Sequence, residues 1–248
     1  MADDTAQESE PRCICIGLDD TDTLESRGTG HLARQIAADL SPDYAVLGVT
    51  RHQLLLDPRV PYTAKNSSAA VVLGRDGLPS LDTLMTRVRE LVETHHSPGS
   101  DPGLCIADRI PRDVTLFGQR VKQEIVTQQE ARALARIHNI RLVGLGGSSD
   151  GVIGALAAVG LAASGEDGRY VLVGRSRLLH GLQPVTAVLA AGIAEVRTVD
   201  GRPVTDGLIL TDRLRPARRG AQPVAIVERC PELARGGTVG YWRPLKLD

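Results

Sequence analysis

Ile14-Cys-Ile-Gly-Leu-Asp-Asp-Thr-Asp22 is an apolar run that ends in acid, and Gly28-Thr-Gly-His-Leu-Ala33 follows it after a polar loop. The run from Cys13 to Leu18 can be buried on both faces of a sheet, which predicts a strand whose tip carries Asp19, Asp20 and Asp22. A helical pattern begins at His31, behind Gly28, Thr29 and Gly30. N–H groups at a helix start lack intrahelical partners and carry partial positive charge, so this end suits a phosphate. Acids at a strand tip beside a glycine-rich helix start are the two halves of a metal–phosphate site.

A magnitude separates that reading from a plain turn. Two carboxylates about 4 Å apart repel by roughly 4 kcal/mol at an effective dielectric near 20, a large share of a domain's net stability. Asx turns and caps explain one such acid without any ligand. Three at one strand tip call for a counter-charge, and Mg²⁺ takes one or two carboxylates together with substrate phosphates. Asp19, Asp20 and Asp22 are accordingly the expected metal ligands.

Working outward, Tyr44–Thr50 reads as a second strand, Ala69–Leu73 as a third and Leu104–Ala107 as a fourth. Leu81–Thr94 is an amphipathic helix with Leu81, Leu84, Val88, Leu91 and Val92 on one side. The order β-α-β-β-α-β predicts an α+β, ferredoxin-like part over 13–110. The acidic, polar stretch 1–12 is expected to be a disordered tail. A second α/β part, 111–248, opens with Val114–Phe117 and Val121–Val126, which flank Gly118 as a possible hairpin. A helix over Gln128–Ile137, a strand over Ile140–Val143 and a helix over Val152–Ala163 follow. Between the last two, Gly146, Gly147, Ser148, Ser149 and Gly151 form a second glycine-rich loop able to approach a phosphate or simply to allow close packing. Beyond it, short strands are expected at Tyr170–Val173, Gly207–Thr211 and Val224–Val227, and Arg213-Leu-Arg-Pro-Ala-Arg-Arg219 is either a phosphate clamp or, the slightly favoured reading, a solvated basic loop.

Composition narrows the classes. A formal net charge of −1 gives no global attraction to polyanions, so any such site must be local. Aromatics at 2% argue against single-stranded nucleic acid bound by stacking. Cys13, Cys15, Cys105 and Cys230 include no Cys-x-x-Cys pair, which disfavours zinc and suits a reducing cytoplasm. No window approaches a membrane span.

The chain resembles the catalytic core of the archaeal agmatidine synthetases, which act on an isoleucine tRNA. The resemblance rests on Ile16-Gly-Leu-Asp-Asp-Thr-Asp22, on Asp57-Pro-Arg-Val-Pro-Tyr62 with Lys65 and Asn66 after it, on Asp101-Pro-Gly103, and on Gly151-Val-Ile-Gly-Ala-Leu-Ala-Ala-Val-Gly160. It implies ATP and magnesium, phosphorylation of a cytidine carbonyl oxygen, and displacement of that phosphate by agmatine. It also implies a threonine that accepts phosphate, which falls on Thr29, although Arg27-Gly-Thr-Gly30 stands where the family has Met-Cys-Thr-Thr. The family's OB module and zinc ribbon have no counterpart in this sequence. The resulting expectation is a Mg-ATP-dependent phosphoryl-transfer enzyme with ATP and an RNA or small-molecule acceptor as partners. Asp19, Asp20, Asp22 and Thr29 are its catalytic group, with Gly28, Gly30, Lys65, Asn66 and the second glycine loop around the nucleotide. A non-enzymatic nucleotide- or RNA-binding module is the alternative. A haloacid-dehalogenase-like phosphatase is disfavoured because its nucleophile would fall on Gly17.

Overall fold

The computed structural model describes residues 13–60, 65–75, 80–212, 214–230 and 240–245. The expected tail 1–12, Pro61-Tyr62 and Arg213 lie outside these described residues. The first half runs β1 (Cys13–Asp19), α1 (Thr29–Leu40), β2 (Val46–Gln53), β3 (Ser67–Gly74), α2 (Leu81–His95) and β4 (Gly103–Ala107). Next come α3 (Arg112–Val121), α4 (Gln128–Ile137), β5 (Arg141–Gly144) and α5 (Gly151–Ser164). The remainder is β6 (Arg169–Leu172), a 3₁₀ turn at Ser176–Leu178, β7 (Leu182–Pro184), α6 (Val185–Ala190), β8 (Glu195–Thr198), β9 (Leu208–Leu210), β10 (Ala217–Arg219), β11 (Gln222–Arg229) and β12 (Tyr241–Pro244).

The order β-α-β-β-α-β is therefore present, and its strands pair antiparallel in the sequence β4-β1-β3-β2. That sheet does not stop there. β5 joins beyond β4, while β6 joins beyond β2 and leads through β10, β11 and β12 to β9 and β7. The fold is a mixed α/β one built on a continuous sheet of 12 strands among the described residues.

Alternation along β1 explains how both faces are filled. Ile14, Ile16 and Leu18 pack with Leu32, Ile36 and Leu40 of α1 and Leu84, Val88 and Val92 of α2. Cys15 faces the other way, into a second layer formed by Val114, Phe117 and Val121 of α3 and most of α5. A strand covered on both faces reads as a continuous apolar run, as this one does.

Small residues place α5 against the sheet. A Cβ on Gly17 would come within 2.0 Å of the Ala155 carbonyl oxygen, and one on Gly103 within 2.0 Å of the Gly151 carbonyl oxygen. On the outer side, a Cβ on Gly160 would lie 2.1 Å from the Val114 carbonyl oxygen. The Gly-Ala composition of α5 thus serves backbone-to-backbone packing between β1 and α3.

Two expectations are overturned. The hairpin around Gly118 is the helix α3: Val114, Phe117 and Val121 recur at helical spacing and are buried together. Gly118 is not a turn residue but a contact point, where a Cβ would meet the Ala157 carbonyl oxygen at 2.9 Å. The arginine run is not a solvated loop either. Its described part contains β10, and Arg218 is 6% exposed, with Nε donating to the Ala162 carbonyl at 3.0 Å. Arg218 also donates to the Tyr170 hydroxyl, so the run ties the second half of the sheet to α5.

Candidate functional site

β1 pairs Asp19 with Gly103 of β4, which carries the acidic tip to the edge where α5 begins. A cleft of about 370 Å³ opens there, with Asp19, Asp20, Asp22, Asp101 and Asp150 along one side. Leu54, Leu55, Val60, Val121 and Val126 supply its apolar lining.

Burial, followed by the charges of Asp20 and Asp22, pushes the Asp19 carboxyl up to about 8, against a lowering hydrogen bond from the Asp20 backbone. Its carboxylate rests on the first turn of α5, where a Cβ on Gly154 would lie 1.8 Å from Oδ2. Asp20 is raised to about 6 by burial and then by Asp101, Asp22 and Asp150. It also holds a left-handed backbone at φ 50°, which Asp tolerates better than most residues. Both groups are short of positive charge, the condition a bound cation relieves.

Asp22 has a different task. Its Oδ1 accepts from the Thr29 N–H at 3.1 Å and from Thr29 Oγ1 at 2.8 Å. Gly28, the cap residue of α1, has no side chain to do this, so Asp22 caps the helix from seven residues away. The Thr21 hydroxyl donates to Thr29 Oγ1 at 3.2 Å. Thr29 therefore sits buried with its hydroxyl proton on a carboxylate, an arrangement that activates an oxygen.

The second glycine loop closes over Asp101. Asp101 Oδ2 accepts from the Ser148 N–H at 3.0 Å and from the Ser148 hydroxyl at 2.7 Å, while Gln128 donates to Asp150 at 2.6 Å. Ser148 and Gly151 line the cleft; Gly146, Gly147 and Ser149 do not. Gly147, at φ 40°, leaves the space Asp101 fills, and the left-handed Ser149 packs on Gly144. Lys65 and Asn66 line the cleft from the opposite lip, with Asn66 Nδ2 donating to the Leu55 carbonyl at 2.7 Å.

Among the described residues, no three His, Cys, Asp or Glu side chains are arranged as a ready-made metal cage. Such a cage is the habit of calcium and zinc rather than Mg²⁺, which keeps sites open for phosphate oxygens and water. The clustered, partly protonated carboxylates fit a cation that arrives with its ligand.

A larger cleft of about 960 Å³ lies on the far side of Asp22, Thr29, Lys65 and Ser67, the four residues the two clefts share. Gly28 and Gly30 line this second cleft, together with Arg34, Arg51, Arg169 and Arg215. These arginines come from α1, β2, β6 and the segment before β10, and of them only Arg215, in the arginine run, had a local sequence signal. Asp101 and Asp150 had only the signal of lying in Asp-Pro-Gly and Ser-Asp-Gly turns.

No family model matches the chain. Over 151 residues it is 26% identical to "Uncharacterized protein MJ0921" of Methanocaldococcus jannaschii, covering 60% of this chain and 50% of that protein. Solved structures align over the same share. A tRNA fluorescent labeling enzyme matches at 25% identity and a TM-score of 0.53, over 60% of this chain and 36% of its own. The complex of TiaS, a tRNA agmatidine synthetase, with its isoleucine tRNA and ATP matches at 23% identity and a TM-score of 0.53, with the same coverage. A TiaS complex with tRNA, AMPCPP and agmatine matches at 23% and 0.52.

The shared fold is that of the TiaS core. The chain spans about half the length of the curated relative and about a third of the TiaS chains, so TiaS is a guide to the fold of that part. No helix among the described residues is long and apolar enough to cross a membrane.

Proposed function

We propose that this protein is an ATP-dependent phosphoryl-transfer enzyme that activates an oxygen of an RNA or small-molecule acceptor, on a ferredoxin-like core related to that of TiaS. The observation that carries the reading is a cleft that combines five clustered carboxylates with an apolar lining. An apolar lining suits a nucleobase, and acids deprived of counter-charge suit a metal-bound phosphate tail. TiaS has been captured with tRNA, ATP and agmatine, which favours an acceptor activated for attack by an amine.

Asp19 and Asp20 would hold Mg²⁺, whose contribution there is to neutralise charge on the β- and γ-phosphates. The acceptor oxygen attacks the γ-phosphorus while the bond to the β-phosphate oxygen breaks, and its electron pair leaves with ADP. Lys65, on the lip between the clefts, offsets the negative charge of the moving phosphoryl group. Thr29 Oγ1, with Asp22 as proton acceptor, is placed to receive that group itself. The four cysteines are free thiols, which suits a reducing cytoplasm.

Isothermal titration of ATP with and without Mg²⁺, on the wild type and on Asp20→Asn, tests the site. Magnesium-dependent binding lost in the variant supports it. A folded wild type that binds no nucleotide, alone or with RNA present, leaves the non-enzymatic module as the better account.

A further inference from the structure

The large cleft beyond Thr29 has a charge pattern of its own. Arg34 and Arg215 are half-buried in it, Arg169 is 6% exposed, and Arg177 stands near the first two. Burial, then the guanidinium groups of Arg177, Arg215 and Arg27, pull Arg34 below the usual arginine range. Burial, then Arg177 and Arg169, do the same to Arg215.

Arg34, Arg177 and Arg215 form no ion pair with a carboxylate among the described residues. Their hydrogen bonds go to the carbonyls of Gly30, Val171 and Leu214, at 2.8, 3.2 and 2.8 Å, and Arg34 also reaches His31. Elsewhere this chain pairs its arginines readily, as Arg75 with Asp108 and Arg87 with Asp39 and Asp43. Half-buried guanidinium groups that make no ion pair among the described residues suit an anionic ligand.

Two anionic ligands are conceivable, and the cleft discriminates between them. Proteins that bind single-stranded RNA splay its bases onto aromatic or guanidinium planes along an extended surface. Apart from His31 no aromatic ring lines this cleft, and its arginines are drawn from separate elements around one recess rather than from successive positions of one strand or helix. A volume of about 960 Å³ is at the upper end for a small-molecule site. Asp22, Thr29, Lys65 and Ser67 make the partition with the acidic cleft, so a ligand anchored at the arginines can reach the phosphate-transfer point.

We infer that the arginine cleft is the acceptor site and that the acceptor is a small molecule carrying a phosphate group, held by Arg34 and Arg215 with its reactive oxygen toward Thr29. The inference rests on the acidic cleft being the nucleotide site.

The test uses the full chain loaded with Mg²⁺ and AMPCPP, titrated with inorganic phosphate and separately with a 12-nucleotide RNA. Wild type is compared with Arg34→Ala and Arg215→Ala, whose folding is checked by thermal melting. Phosphate binding weakened at least tenfold in each variant, with AMPCPP affinity within twofold of wild type, is the expected result. A nucleotide-loaded wild type that takes up no phosphate overturns the inference and leaves the nucleotide reading standing. RNA that binds more tightly than phosphate, loses that affinity in the variants and shows a steep salt dependence overturns the small-molecule class. AMPCPP affinity that collapses in the variants assigns the arginines to the nucleotide instead. A wild type that binds phosphate at the arginines but never a nucleotide refutes the underlying reading, and the acceptor role with it.

Discussion

Replacing Asp19 by Asn should stabilise the metal-free protein at alkaline pH, which is unusual for an acid at the heart of a site. Asp19 ordinarily titrates near 3.8 and is raised to about 8 in the folded chain. Below pH 3.8 the carboxyl is protonated in both states and costs nothing. Between there and about 8 the folded state keeps its proton while the unfolded state loses it, so stability falls as pH rises and levels off above about 8. At roughly 1.4 kcal/mol per pKa unit the full shift corresponds to about 6 kcal/mol. Partial solvent access to the carboxyl reduces this to about 2–3 kcal/mol. Asn keeps the shape that fits against Gly154 but never ionises. Urea denaturation in EDTA at pH 5 and pH 9 should show wild type losing about 2–3 kcal/mol more than the variant between the two. Added Mg²⁺ and ATP should restore the wild type at pH 9 and leave the variant unchanged. The reasoning is falsified if wild type and Asp19→Asn lose the same stability between the two pH values.

Gly154→Ala puts a methyl group where Asp19 Oδ2 now sits, while adding helix propensity of about 1 kcal/mol; nucleotide titration should show binding lost with the melting temperature almost unchanged. Gly17→Ala has no such freedom, because its Cβ meets a backbone oxygen of α5, and chemical denaturation should register a loss of about 1–3 kcal/mol. His52 is buried between the Thr50 hydroxyl, at 2.8 Å, and Asp167, at 2.9 Å, and burial holds it below its usual pKa despite the pull of Asp167. Its proton is taken up more readily by the unfolded chain, so stability should fall as pH drops below about 6.5, and His52→Gln should flatten that slope in melts between pH 5 and 7.

Local chemistry was legible in the sequence and assembled chemistry was not. β1 announced itself because a strand buried on both faces leaves an unbroken apolar run, and α4 over Gln128–Ile137 came through with the same bounds. α3 was misread because Gly118 carries two signals at once, breaker and packing contact, and only the presence of α5 decides between them. Arg218 misled in the same way. A run of arginines ordinarily faces water, yet here β10 folds one of them inward onto Tyr170 and the end of α5. Only one arginine of the second cleft, Arg215 in the arginine run, was legible in the sequence. Arg34 and Arg215 lie 181 positions apart in the chain and meet only because β6 docks on β2 and β10 on β6.

The three acids of the opening motif, alike in sequence, are separated by their hydrogen bonds, and that separation can be measured. Asp22 holds the start of α1 through two bonds from Thr29, while burial and neighbouring acids raise Asp19 and Asp20, the proposed cation ligands. Asp22→Ala should therefore cost about 1–2 kcal/mol in the metal-free protein, the worth of a lost helix cap and an unsatisfied buried hydroxyl. Asp20→Asn should cost nothing at pH 8 and add a little stability, because it removes like charge beside Asp101 and Asp150 and keeps a residue that tolerates φ 50°. Mg²⁺-dependent nucleotide binding should be lost in Asp20→Asn at full thermal stability, whereas any loss in Asp22→Ala should come with a lowered melting temperature. Equal melting temperatures for the two variants would mean that Asp22 does not hold the helix start, and the division of labour among the acids would have to be redrawn.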